Sequence, residues 1–95
     1  MIYLLEGSLI HAEPGLAVID CGGVGYAARV TLNTMSALPS VGSVVRLYTS
    51  MQVREDGVEL YGFADLSEKD CFLRLLTVSG VGPTMALAID RKSVV

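Results

Sequence analysis

Five short apolar runs fill the first two-thirds of this chain, and most of the breaks between them carry glycine. That pattern leaves few folds open. Residues 2–11 alternate loosely and predict a long first strand, and Glu13-Pro14-Gly15 reads as a turn. Leu16 to Cys21 is an apolar β run ended by Gly22-Gly23, and Val24 to Leu32 is a third run, with Tyr26, Val30 and Thr31. Residues 33–42 form a connection with room for one helical turn. Val44 to Val53 and Val58 to Phe63 are the fourth and fifth strands, split by Arg54-Glu55-Asp56-Gly57. Asp-Gly between two β runs is a strong hairpin signal and puts Glu55 and Asp56 at an exposed tip. Five such strands predict a small Greek-key barrel of the OB type, so the chain is expected to be mainly β.

At Ala64 the period changes. Leu66-Ser67-Glu68-Lys69-Asp70-Cys71 predicts a helix start, with Ser67 as cap, Asp70 reaching back to complete the box, and Leu66 and Cys71 placed as a hydrophobic staple. Cys71, Phe72, Leu75, Leu76 and Val78 share one apolar face, expected to be core. Ser79-Gly80-Val81-Gly82-Pro83-Thr84 follows, and a second helix is expected from Pro83 to about Ile89. Gly80 suits a left-handed helix end and Pro83 a first helical turn. A Gly-x-Gly turn between two helices exposes successive backbone N–H groups, a concavity that suits a phosphate oxygen. The same residues also fit an ordinary turn. The division expected is a barrel over residues 1–63 and a partial helix-hairpin-helix segment over 64–95.

Ninety-five residues allow one small domain, or one domain and part of another. The net charge of −3 is unlike that of most nucleic-acid binders, and the deficit lies in residues 1–63, which hold three arginines against six acids. DNA affinity would therefore have to come from local geometry or from repetition in an oligomer. One histidine and two cysteines fifty positions apart, Cys21 and Cys71, exclude a zinc site by spacing and read as buried thiols in a reducing cytoplasm. Residues 80–84 lack the lysine and spacing of a nucleotide-binding loop, and no catalytic triad can be assembled from one histidine. No catalytic residue, metal or cofactor is expected. No apolar run reaches the roughly 18–20 residues of a membrane span. Glu6 and the lack of a basic start argue against a signal peptide, so no membrane partner is expected.

Four blocks together carry a resemblance: Gly22-Gly23-Val24-Gly25-Tyr26, Val53-Arg54-Glu55-Asp56, Leu60-Tyr61-Gly62-Phe63, and Gly80-Val81-Gly82-Pro83 with Ala86-Leu87-Ala88-Ile89. In this order and spacing the sequence resembles the RuvA family of bacterial Holliday-junction-binding proteins over about residues 1–89. The resemblance implies an OB barrel, a middle domain with two helix-hairpin-helix motifs, and a mobile third domain. It implies a flat tetramer, stacked to an octamer in some members, holding a four-way DNA junction. The acidic pin would be Glu55 and Asp56, and the phosphate grip would be Gly80, Val81, Gly82 and Thr84. The partner motor would be the ATPase RuvB, docked on the third domain.

Three positions depart from the family pattern. Thr84 stands where a basic residue is usual, Glu6 stands where relatives are often basic, and residues 90–95 do not resemble the family. The second hairpin motif and the RuvB-docking domain are expected to be missing, leaving a weak junction binder that does not stimulate the motor. Two other readings stay open. One is a single-strand-binding OB module that stacks bases on Tyr3, Tyr26, Tyr48, Tyr61, Phe63 and Phe72. The other is a module for protein–protein assembly.

Overall fold

The computed structural model describes residues 1–77 and Gly82. Alternation of inward apolar and outward polar side chains drives the first three strands into a meander: β1 (Leu4–Glu13), β2 (Leu16–Cys21) and β3 (Val24–Val30). β2 and β3 pair antiparallel up to Cys21↔Val24, leaving Gly22 and Gly23 as a two-residue loop at φ +62° and +95°. Positive φ at both loop positions is the hairpin turn that follows strand twist, and glycine adopts it without steric cost. Asp20 fixes that loop by accepting the Gly23 N–H at 2.8 Å.

β1 serves two neighbours. Its first half pairs with β4 (Val44–Arg54), from Leu4↔Tyr48 to Ser8↔Val44, and its second half pairs with β2. The register slips between Leu9↔Ile19 and His11↔Val18, so Ile10 is an extra residue pushed outward. Such a bulge bends the strand and lets one β1 close two sides of a barrel. β4 returns through a tight turn into β5 (Gly57–Phe63), which lies parallel to β3 at Arg29↔Tyr61 and Val30↔Gly62. The closed order is β1-β2-β3-β5-β4, the five-stranded Greek-key barrel of OB type that the strand pattern predicts.

The barrel interior is filled by Leu5, Leu9, Ile19, Val30, Leu47 and Leu60, with Ala17 and Ala28 between them. A five-stranded barrel is narrow, so small residues are needed where walls approach. A Cβ on Gly7 would lie 2.2 Å from the Asp20 carbonyl oxygen, and one on Gly62 would lie 3.0 Å from Leu47 Cδ1.

Four local expectations are corrected. The first strand runs Leu4–Glu13 rather than 2–11, because the ladder continues to the Pro14-Gly15 turn. Ile2 and Tyr3 are instead held by Thr49, whose hydroxyl donates to the Ile2 carbonyl at 2.8 Å and whose N–H donates to the Tyr3 carbonyl at 2.7 Å. The third strand stops at Val30, because Thr31 caps a short helix, α1 (Leu32–Ala37), by accepting the Thr34 N–H at 3.0 Å. Pro39 then keeps Leu38 extended and ends that helix.

The third correction concerns the helix after the barrel, α2 (Leu66–Leu76). Its cap is Asp65, not Ser67: Asp65 accepts the Glu68 N–H at 2.9 Å, and Ser67 donates its hydroxyl to Asp65 at 2.6 Å. Leu66 is thus the first helical residue and 41 % exposed, so the staple with Cys71 does not form. Last, Cys21 and Cys71 are half-buried rather than buried.

α2 packs through Phe72, fully buried against Tyr61 and Phe63, with Leu75 and Leu76 at the edge of this second core. Of the helix face expected from sequence, Val78 lies outside the described residues. No helix among the described residues is long and apolar enough to cross a membrane.

Candidate nucleic-acid interface

The longest strand, β4, carries the acidic tip. Its ladder with β5 runs to Val53↔Val58 and Arg54↔Gly57, so Glu55 and Asp56 form a two-residue loop, both exposed. Neither has positive φ; Gly57, first residue of β5, takes φ +150° instead. The loop is therefore not the primed turn of an Asp-Gly pair, and Asp56 supplies its second residue rather than its first.

Neighbouring charges are turned away from this tip. Arg54 donates to the Tyr61 hydroxyl at 3.1 Å, back along β5. Glu59 is paired with Arg29 of β3 at 3.0 Å. Among the described residues, Glu55 and Asp56 have no ion-pair partner. Two carboxylates side by side at a strand end, unneutralised, form a localised negative point. A phosphate oxygen about 4 Å from one such charge costs about 1 kcal/mol in water and several times that where water is thinned.

Elsewhere the barrel surface is largely balanced. Glu6 pairs with Arg46 directly across the β1–β4 ladder at 3.0 Å. The Arg46 guanidinium is held above its ordinary range first by a hydrogen bond with the Tyr48 side chain and then by Glu6. Glu6 thus cancels Arg46 and adds no separate negative patch. His11 and Glu13 lie 2.9 Å apart on the same strand.

Of the turn at residues 80–84, Gly80, Val81 and Thr84 lie outside the described residues, as does the second helix expected from Pro83; Gly82 is exposed. What the structure does describe is the base from which that turn continues. α2 is fixed by a polar cluster the sequence reading missed. Glu68 is 4 % exposed and its carboxylate accepts the hydroxyls of Thr31 at 2.8 Å and Thr34 at 2.6 Å. Lys69 is 7 % exposed, with Nζ 3.7 Å above the Tyr3 ring. Burial pushes the Lys69 amine below its ordinary value, with Asp70 opposing. Two signals were available in sequence: Asp65 three residues before Glu68, a cap pattern, and Thr31 three residues before Thr34.

Of the six rings named for base stacking, Tyr61, Phe63 and Phe72 are core, with Phe72 centred 5.1 Å from each of the other two. Among the described residues, no group of three His, Cys, Asp or Glu side chains is arranged to hold a metal ion.

Comparison with known proteins agrees with the barrel. The family model described as the RuvA N terminal domain matches residues 1–62. The chain belongs to the RuvA family. Curated relatives named Holliday junction branch migration complex subunit RuvA include one from Acidobacterium capsulatum, 48 % identical over 92 % of this chain and 44 % of the relative. The RuvA of Syntrophobacter fumaroxidans is 51 % identical over 94 % of this chain and 45 % of its own length. That of Desulforamulus reducens is 48 % identical over 94 % and 44 %. The chain thus spans under half the length of the RuvA relatives it matches.

Proposed function

We propose that this chain is the barrel and first-hairpin part of a scaffold that binds four-way DNA junctions, within a complex that migrates the branch point in recombination and repair. The observation that carries the reading is the tip: Glu55 and Asp56, exposed and without an ion-pair partner among the described residues, at the end of an eleven-residue strand on a RuvA-family barrel.

The physics follows from charge and backbone. One tip is a weak repeller, because exposed charges are screened over a Debye length of about 10 Å at 0.1 M salt. Four tips meeting around one axis make a collar that duplex cannot enter without its strands parting. Residues 1–63 form the barrel, and 64–95 begin the hairpin domain. Gly80, Val81, Gly82 and Thr84 grip phosphates through backbone N–H groups and a hydroxyl. Such contacts carry no base information, which suits a junction that moves through any sequence. The chain assembles as a tetramer, or as two stacked tetramers, in the cytoplasm. It performs no catalysis itself: ATP hydrolysis belongs to the motor, RuvB.

The test is fluorescence anisotropy with a synthetic four-way junction, a duplex and a single strand of matched length, with sedimentation run alongside. The junction is expected to bind tightest at low salt, with affinity falling as salt rises. Glu55→Gln with Asp56→Asn is expected to raise duplex affinity and narrow the preference. Equal binding of single strand and junction, or a preference untouched by the double substitution, refutes the proposal.

A further inference from the structure

We infer that Glu68 is a positioning residue: its buried carboxylate sets the direction in which α2 leaves the barrel, and so where the far end of α2 stands relative to the acidic tip. This rests on the junction-binding reading for its functional half.

Burying a carboxylate costs several kcal/mol unless it is fully hydrogen-bonded, and an apolar side chain would fill the space more cheaply. The bonds around Glu68 show what the buried carboxyl group does. Thr31 Oγ1 donates to Oε2 at 2.8 Å while accepting the Thr34 N–H at 3.0 Å. Thr34 Oγ1 donates to Oε1 at 2.6 Å while accepting the Ala64 N–H at 3.1 Å. With a backbone N–H pointing into each hydroxyl oxygen, each hydroxyl proton is directed at the carboxylate. Two bonds to the two oxygens of one rigid plane fix an angle, not merely a distance. The anchors come from three places: the cap of α1, the first turn of α1, and Ala64 just after β5.

The apolar contact cannot do the same. Phe72 meets Tyr61 and Phe63 at interplanar angles of 35° and 45°, a contact that holds α2 close but constrains its angle less sharply than two hydrogen bonds to one carboxylate do. Angle matters because of length. α2 has eleven residues, about 16 Å. A swing of about 10° moves its far end by about 3 Å, enough to break a hydrogen bond to phosphate. At the other end, β5 is a seven-residue rod of roughly 20 Å linking the tip to the start of α2. The tip and the far end of α2 are thus joined through one strand and one angle, and Glu68 holds the angle.

The test compares backbone residual dipolar couplings and junction affinity in the chain and in Glu68→Ala, Glu68→Gln and a Thr31→Val/Thr34→Val double variant. In wild type, barrel and α2 couplings should fit one alignment frame. In Glu68→Ala and the threonine variant, barrel couplings should stay in that frame while those of α2 depart from it, and junction affinity should fall at least fivefold. Glu68→Gln, which keeps one acceptor, should recover part of both. If α2 stays in the barrel frame in the foldable variants, the orientation claim is overturned. If α2 departs and junction affinity is unchanged, the positioning role is overturned. Wild-type chain that shows no junction preference sinks the functional reading, while the couplings still decide whether Glu68 sets the angle.

Discussion

Truncating Phe72 to alanine should detach α2 from the barrel without opening the barrel itself. The ring is fully buried, 5.1 Å from both Tyr61 and Phe63, and belongs to a cluster distinct from the one that fills the barrel. A buried Phe→Ala change costs about 3–5 kcal/mol, of which the two tilted ring pairs supply about 0.5–1.5 each. The loss should fall on the opening of α2, since its partners sit on β5 while the barrel core is formed by Leu5, Leu9, Ile19, Leu47 and their neighbours. Three kcal/mol corresponds to about two decades of equilibrium constant. Native-state hydrogen exchange should therefore show α2 amides from Cys71 to Leu76 exchanging about a hundredfold faster or more, with β2 and β3 amides near wild type. Phe72→Leu keeps much of the volume but loses both ring pairs, and should cost about 1–3 kcal/mol, less than the alanine variant. Equal loss of protection in α2 and β2, or α2 amides within about threefold of wild type, would show that the two clusters are one cooperative unit and that the reasoning is wrong.

Asp65→Ala should cost about 1 kcal/mol through loss of the cap on α2, read from urea midpoints. The Asp65 carboxyl is held below its ordinary value of 3.8, first by the Ser67 hydroxyl and then by the Glu68 N–H. That contribution is complete above pH 3.8 and fades as pH falls towards the lowered value, so wild type and variant should converge in acid. Gly7→Ala should destabilise by about 1–3 kcal/mol or more, because its Cβ would sit 2.2 Å from the Asp20 carbonyl and strand must move from strand. Gly25→Ala meets only Val18 and Ile10 methyls at 3.6 and 3.8 Å and should stay within about 0.5 kcal/mol of wild type. Lys69 binds its proton less well folded than unfolded, so wild-type stability should rise with pH from the lowered value to 10.5. Lys69→Met should lack that rise, which denaturation from pH 7 to pH 11 would show.

Strand count and order of elements were legible because the signals are local. Gly22-Gly23 between two β runs specifies its own turn, and Leu16–Cys21 and the start of β3 fall where alternation puts them. Ends were less legible wherever a side chain outbids the ladder. Thr31 reads as a β residue by propensity, yet its hydroxyl caps α1 and breaks the strand. Ser67 is a fair cap by itself, and Asp65 displaces it by reaching the Glu68 N–H. The Glu68 cluster was hidden for another reason. Its partners lie more than thirty positions away, and no local pattern reveals that two threonine hydroxyls will converge on one carboxylate. At the tip, sequence shows that Glu55 and Asp56 are adjacent; only coordinates show Arg54 turned back to Tyr61, leaving the two charges bare.

The parallel seam between β3 and β5 has a bearing on biosynthesis. Its two register pairs tie Arg29 and Val30 to Tyr61 and Gly62, and β5 is the last of the five barrel strands in chain order. A nascent chain therefore carries β3 with one bare edge until the whole of β5 has left the ribosome, and such edges recruit strands from other molecules. Translation arrested while β5 is still inside the ribosome should leave a sticky intermediate, whereas arrest after the whole of β5 has emerged should leave a sealed barrel.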